Sequence, residues 1–265
     1  MSLENGHLGS FDLHFDQHSI DSRLSWESDE LSSQHFAQRN HLLISDAYIF
    51  VGTESGRICR ITRSNSDERK FYESTGDKPI LGLALSPGGQ SLLTTNADGL
   101  ITLFNVNNPN PLFQLQSIQI GVKGLVFSPC GRYFAAGDYG WDRRLVLFSI
   151  ENQEIKEISS HKLGVQTTAI FWGKDYILST HTDGIIRTFL VDPNNFSLIS
   201  PPKDHKTPFL GYQLAHAILK RNEASDTLYV SCTATKEIIE VEVEKSLKIH
   251  SKKLDSHFSK YTTIR

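Results

Sequence analysis

SPGGQSLLTTNADGLITLF (residues 86–104) and SPCGRYFAAGDYGWDRRLVLF (residues 128–148) decide the fold. They start 42 residues apart, and each runs Ser-Pro-x-Gly, an apolar run, a turn built on Asp98 or Asp142, and a second apolar run ending in Phe104 or Phe148. Aligning on that turn finds the unit again as ESGRICRI (54–61) and TDGIIRTF (182–189). Ser55, Asp98, Asp142 and Asp183 are then spaced 43, 44 and 41 residues apart. A degenerate fifth copy, ATKEIIEVEV (234–243), follows after 52 residues, and the excess lies in DPNNFSLISPPKDHKTPF (192–209), whose four prolines make an irregular connection. A recurring unit of this length is the mark of a repeat architecture.

Within a unit, ILGLALSPGGQSLLTTNADGLITLFNVN (80–107) reads as three short strands joined by tight turns. Asp-Gly suits such a turn because Gly accepts the positive φ it demands and Asp tolerates it. The runs are rich in Leu, Ile, Val and Phe without clean alternation, as in strands covered on both faces. A more polar fourth strand follows, as in LFQLQSI (112–118) or EIKEISS (154–160). Sheets of this size cannot bury their faces alone; stacked radially they bury one another.

Four strands per unit, Ser-Pro-x-Gly between the first two and Asp-Gly-x-x-x-x-aromatic between the next two resemble the WD40 repeat over residues 34–250. The resemblance implies an all-β, WD40-type β-propeller. Six blades are favoured, with five blades or an open ring as alternatives. On this reading an acidic arm, residues 1–33, supplies a closing strand from FDLHF (11–15), and residues 251–265 supply a C-terminal one from KYTTIR (260–265). The family's buried set of His, Ser or Thr, Asp and Trp is approached in one repeat, where His161 stands at the Gly-His offset, Ser179 or Thr180 lies in the second strand and Asp183 in the turn. Where the family has Trp, this chain has Phe104, Phe148 and Phe189, which supply ring volume but no indole N–H. The resemblance thus implies structural roles for Asp98, Asp142, Asp183, His161 and the three phenylalanines.

The 265 residues suffice for one large domain, burying roughly 70–75% of the surface of the unfolded chain. Apolar residues make up 38% and charged residues 22%, an ordinary globular balance. Twenty-seven basic against thirty acidic residues give a formal charge of −3, which offers no global footprint for nucleic acid or an anionic membrane. Cys59, Cys130 and Cys232 are too sparse for a disulfide framework and show no zinc spacing, which points to a reducing compartment, cytoplasmic or nuclear. No apolar run is long enough to span a bilayer, and the first residues lack a signal-peptide pattern.

Chemistry is sparse. GxxxxGK[ST], GxGxxG, HExxH and GxSxG are all missing. His14 and His18 are four apart but sit in a strand-like stretch without a third ligand. The expectation is therefore no enzyme, cofactor, metal or small-molecule substrate, but a scaffold holding protein partners in a multisubunit assembly. The candidate contact lies in GDYGWDRR (137–144), where the repeat gains two residues between its second and third strands and carries Tyr139, Trp141, Arg143 and Arg144. Tyr, Trp and Arg are the residue types over-represented in binding hot spots. Nucleic-acid association through Arg143, Arg144 and the Lys-rich KSLKIHSKK (245–253) is the alternative, as is an open propeller completed by a partner subunit.

Overall fold

In this computed structural model, the residues described are 9–15, 20–27, 41–72, 76–116, 122–138, 142–151, 154–221, 225–232, 234–244 and 249–253. A two-stranded hairpin, β1 (Gly9–Phe15) with β2 (Ile20–Glu27), comes first. Five four-stranded antiparallel sheets follow, each a simple meander in chain order. Blade 1 is β3 (His41–Ile44), β4 (Tyr48–Gly52), β5 (Ile58–Thr62) and β6 (Asn65–Tyr72). Blade 2 is β7 (Ile80–Leu85), β8 (Ser91–Asn96), β9 (Leu100–Asn105) and β10 (Pro111–Gln116). Blade 3 is β11 (Val122–Phe127), β12 (Tyr133–Asp138), β13 (Arg144–Glu151) and β14 (Glu154–Lys162). Blade 4 is β15 (Thr167–Trp172), β16 (Tyr176–His181), β17 (Ile185–Val191) and β18 (Leu198–Lys206). Blade 5 is β19 (Leu214–Arg221), β20 (Ser225–Cys232), β21 (Glu237–Glu244) and β22 (Ile249–Lys253). Blades 1 and 2 belong to one compact unit and blades 3 to 5 to another.

The six blades favoured from sequence are corrected to five among the described residues. FDLHF lies in β1 and pairs with the alternating run IDSRLSWE of β2, the partner nearest in sequence. Closing a four-residue loop costs less chain entropy than reaching across a domain. Residues 251–253 complete β22 of blade 5, and KYTTIR lies outside the described residues. His14 is in β1, and His18 is outside the described residues.

The strand pattern explains the missing alternation. In β16 every residue is buried because the neighbouring sheets of blades 3 and 5 cover its two faces, and in β8 all but the first residue is buried; outer strand β10 alternates between partly buried and exposed. Between blades 3 and 4 the core gathers Ala135, Leu145, Leu147, Trp172, Ile177 and Phe189. Close approach there depends on Gly124, since a Cβ at that position would lie 2.7 Å from Ile170. Leu178, Ile186, Phe209, Leu228, Ile239 and Val241 fill the core between blades 4 and 5, where Tyr176 also donates a hydrogen bond to Asp226. In the first unit, Tyr72 and Arg60 of blade 1 both donate to the Val106 carbonyl, and the Tyr72 ring meets Phe104 edge-on at 5.2 Å. Phe104, Phe148 and Phe189 are all fully enclosed; Phe148 stacks on Phe134 at 4.7 Å.

Candidate functional site

The register places the second-to-third-strand turns and the first-strand entries of blades 3 to 5 at the same end of their sheets. Arg144 opposes Lys162, Thr167 opposes His181, Ile185 opposes Lys206, and Leu214 opposes Cys232. Backbone hydrogen bonds tie the turns at this end to the connectors beside them. Leu163 N–H donates to the Arg143 carbonyl (2.9 Å), Thr182 N–H to Gln166 (3.1 Å), and Gly211 N–H to Asp183 (2.8 Å). Turns 142–143, 182–184 and 234–236 thus alternate with connectors 163–166 and 207–213 along one turn face.

Each turn needs one residue in the left-handed region. Gly56, Gly99 and Gly184 supply it in blades 1, 2 and 4, with φ of 78°, 82° and 78°. At the equivalent positions, blade 3 has Arg143 (φ 45°) and blade 5 has Lys236 (φ 57°). That conformation costs an L-residue about 1–2 kcal/mol. Arg143 Nη1 recovers part of it by donating to the Gly164 carbonyl at 2.9 Å, whereas the Lys236 side chain makes no hydrogen bond or ion pair among the described residues. Lys236→Gly should therefore raise stability by about 0.5–1 kcal/mol, while Lys236→Ala should not, as urea unfolding would measure.

The other residues marked by sequence are distributed as follows. Tyr139 and Trp141 lie outside the described residues. Arg144 reaches Glu157 at 3.4 Å, and Asp142 reaches Lys162 at 3.4 Å, both across β13 and β14. Asp98 is exposed, and its turn is organised by Asn96, whose Oδ1 accepts the N–H groups of Asp98 and Leu100, each at 3.0 Å. His161 is on β14 of blade 3, with its ring edge-on to Phe189 of blade 4 at 5.7 Å.

Half-buried Asp183 is the centre of a polar cluster of which sequence reasoning named Asp183 and Ser179, but with His161 in place of His181 and without Arg187. Arg187 grips its carboxylate with two hydrogen bonds (2.8 and 3.3 Å) and reaches Asp204 through Nε at 3.3 Å, tying turn, third strand and outer strand together. Burial pushes the Asp183 carboxyl up, but the Arg187 guanidinium and the Ile185 amide overcome it and hold the pKa below the usual value. Beside it His181, fully buried, shares a 2.7 Å hydrogen bond with Ser179 through Nε2, while Nδ1, against the Gln166 backbone, has no partner of hydrogen-bond geometry. Burial first, then the Arg187 cation, push its pKa down to about 3. The imidazole is neutral at physiological pH, and this cluster fastens the turn face. The available signal was positional: His181 occupies the place of Asn96, and Arg187 that of Thr102, in the aligned repeats.

Connector 207–213 is built to hold its shape. Phe209 is sunk in the core, Thr207 Oγ1 donates to the Gly184 carbonyl (2.7 Å), and Tyr212 N–H donates to Phe209 (2.9 Å). On this fixed loop Leu210 and Tyr212 stand 51% and 50% exposed. The apolar letters of TPFLGYQ were visible in the sequence, but the surrounding prolines mark it only as a connection. Among the described residues no group of three or more His, Cys, Asp or Glu side chains is arranged to hold a metal ion.

Comparison with known proteins bears on this geometry. Residues 111–149 match the family model "WD domain, G-beta repeat", a segment running from β10 through the third strand of blade 3. No curated protein sequence matches the chain. Among solved structures, a chain of a mitotic checkpoint complex is similar over 95% of this chain and 72% of its own, at 14% identity and a TM-score of 0.68. The β-propeller domain of Cps50 (Swd1) from Myceliophteria thermophila is similar over 82% and 75%, at 15% identity and a TM-score of 0.63. A Bacteroides uniformis protein, a candidate 6-phosphogluconolactonase, is similar over 95% and 78%, at 18% identity and a TM-score of 0.71. At these identities the likeness is one of fold, the β-propeller.

Proposed function

From a chain that carries a WD40 repeat on a β-propeller fold, we propose a non-catalytic scaffold whose turn face on blades 3 to 5 docks protein partners within a multisubunit assembly. The observation that carries this reading is connector 207–213, where Leu210 and Tyr212 are held out from a loop pinned on both sides. An exposed apolar pair on a floppy loop would lose ordering entropy on binding; on a fixed loop that cost is already met. Tyrosine in such a setting is a typical interface anchor. One similar structure is of a mitotic checkpoint complex, in keeping with service inside an assembly. Likeness to the candidate lactonase, at 18% identity, is one of fold alone. We place the protein in the cytoplasm or nucleus, a choice supported by three free cysteines, two of them buried.

The test compares proteins co-purifying with the intact chain and with a Leu210→Ser, Tyr212→Ser variant. Both positions are exposed, so thermal unfolding should change little. Loss of at least one specific partner with folding intact is the expected result. An unchanged set of partners removes the turn face from the account.

A further inference from the structure

Resting on that reading of the turn face, we propose that the partner segment docking there is acidic and carries an apolar residue among its acids. The argument starts from the two turns that lack glycine. Only Gly takes the left-handed conformation freely, and Asn or Asp take it more readily than other residues. The backbone therefore gives no reason for Arg143 and Lys236 to occupy it, and strain of this kind points to a use for the side chain. Both sit in turns of the same face, at the same end of blades 3 and 5.

The charges around them are one-sided. Three acids of this face are engaged: Asp142 with Lys162, Asp183 with Arg187, and Glu237 with Lys253. Lys206 and Lys236 are exposed and make no ion pair among the described residues. An unneutralised basic face on a chain whose formal charge is −3 complements an acidic partner and repels a basic one. Leu210 and Tyr212 add the apolar contact. A cleft of about 200 Å³ opens between the outer parts of blades 4 and 5, lined by Ile186, Val241 and Ile249 together with the polar side chains of His205, Lys206, Thr207 and Ser251. An aliphatic side chain next to a carboxylate fits a cleft of that chemistry. A phosphate backbone would meet the lysines but leave the exposed apolar pair Leu210 and Tyr212 uncovered, so a protein segment is favoured over nucleic acid.

The test uses the full chain and three fluorescent probes in anisotropy titrations: a short peptide of Glu and Asp flanking Leu-Phe, the same peptide with every acid replaced by Lys, and a single-stranded oligonucleotide. The acidic peptide should bind, with affinity falling as salt rises; the lysine peptide should not. In the Arg143→Gly, Lys236→Gly variant the acidic peptide should bind about tenfold more weakly, while the unfolding midpoint holds or rises. That opposite movement separates a binding role from a structural one. Equal binding of both peptides, no binding of the acidic peptide up to about 1 mM, no effect of the double variant, or tighter binding of the oligonucleotide would each overturn the proposal. If Leu210→Ser, Tyr212→Ser abolishes co-purification while the charge variant retains every partner, the acidic segment falls and the docking face stands.

Discussion

Gly184→Ala will lower stability by about 2–5 kcal/mol and release connector 207–213 from the turn face. A Cβ at this position would lie 2.0 Å from the Phe209 carbonyl oxygen and 2.9 Å from Leu210 Cα, both backbone atoms that cannot rotate aside. With φ at 78°, the new side chain also pays for a left-handed conformation. The two penalties add because the strain and the clash are separate. For a chain of this size each kcal/mol moves Tm by roughly 2–4 °C, so thermal unfolding reads the effect directly. Gly89→Ala is the control: its φ is 70°, but a Cβ there meets nothing within 4 Å, so only the conformational part of the loss, about 1–2 kcal/mol, is expected. Equal losses at the two glycines would show that the close approach of the connector carries no weight.

Acidification will destabilise blades 3 to 5 through His181. Its folded pKa is depressed, from 6.5 to about 3, by burial and by Arg187, so between those values the unfolded chain binds a proton that the folded one refuses. The contribution of the neutral imidazole is complete above pH 6.5 and is lost progressively as pH falls toward 3, about 4–5 kcal/mol at the lower end. Asp183, also depressed, pushes the same way at lower pH: its contribution is present above the unfolded value of 3.8 and disappears below it. His181→Gln keeps a polar partner for Ser179 but removes the titration. Urea unfolding from pH 7 to 4 should therefore show a shallower pH slope in the variant, whatever its stability at pH 7. The same slope in both proteins would contradict the assignment.

These two positions show how much of the molecule was legible in its sequence. The Asp-Gly pairs at 98–99 and 183–184, set in a repeat of near-constant length, give the strand order and the turn positions because tight turns have strict backbone needs. The blade number was harder. FDLHF alternates as a strand should, but alternation does not say which edge it joins, and β2, four residues on, offers the nearer one. Side-chain pairing across strands was not legible. The offset typical of the resembling family directs attention to His161 on blade 3, yet the imidazole buried beside Asp183 belongs to His181, two residues before it at the end of β16 in blade 4. Arg187 reaches Asp183 across a turn and Asp204 across a strand pair, and only the register of β17 with β18 brings those groups together. The insertion around Tyr139 and Trp141 drew the eye to hot-spot residue types, whereas Lys236 gave no compositional signal; its interest lies in its φ.

The account stands on the turn face of blades 3 to 5 as the docking surface. Hydrogen–deuterium exchange on the protein bound to a co-purified partner measures this most directly. Residues 142–143, 163–166, 182–184, 207–213 and 234–236 should gain protection together. Protection confined to outer strands β14, β18 or β22, with these turns and connectors exchanging as in the free protein, would contradict it.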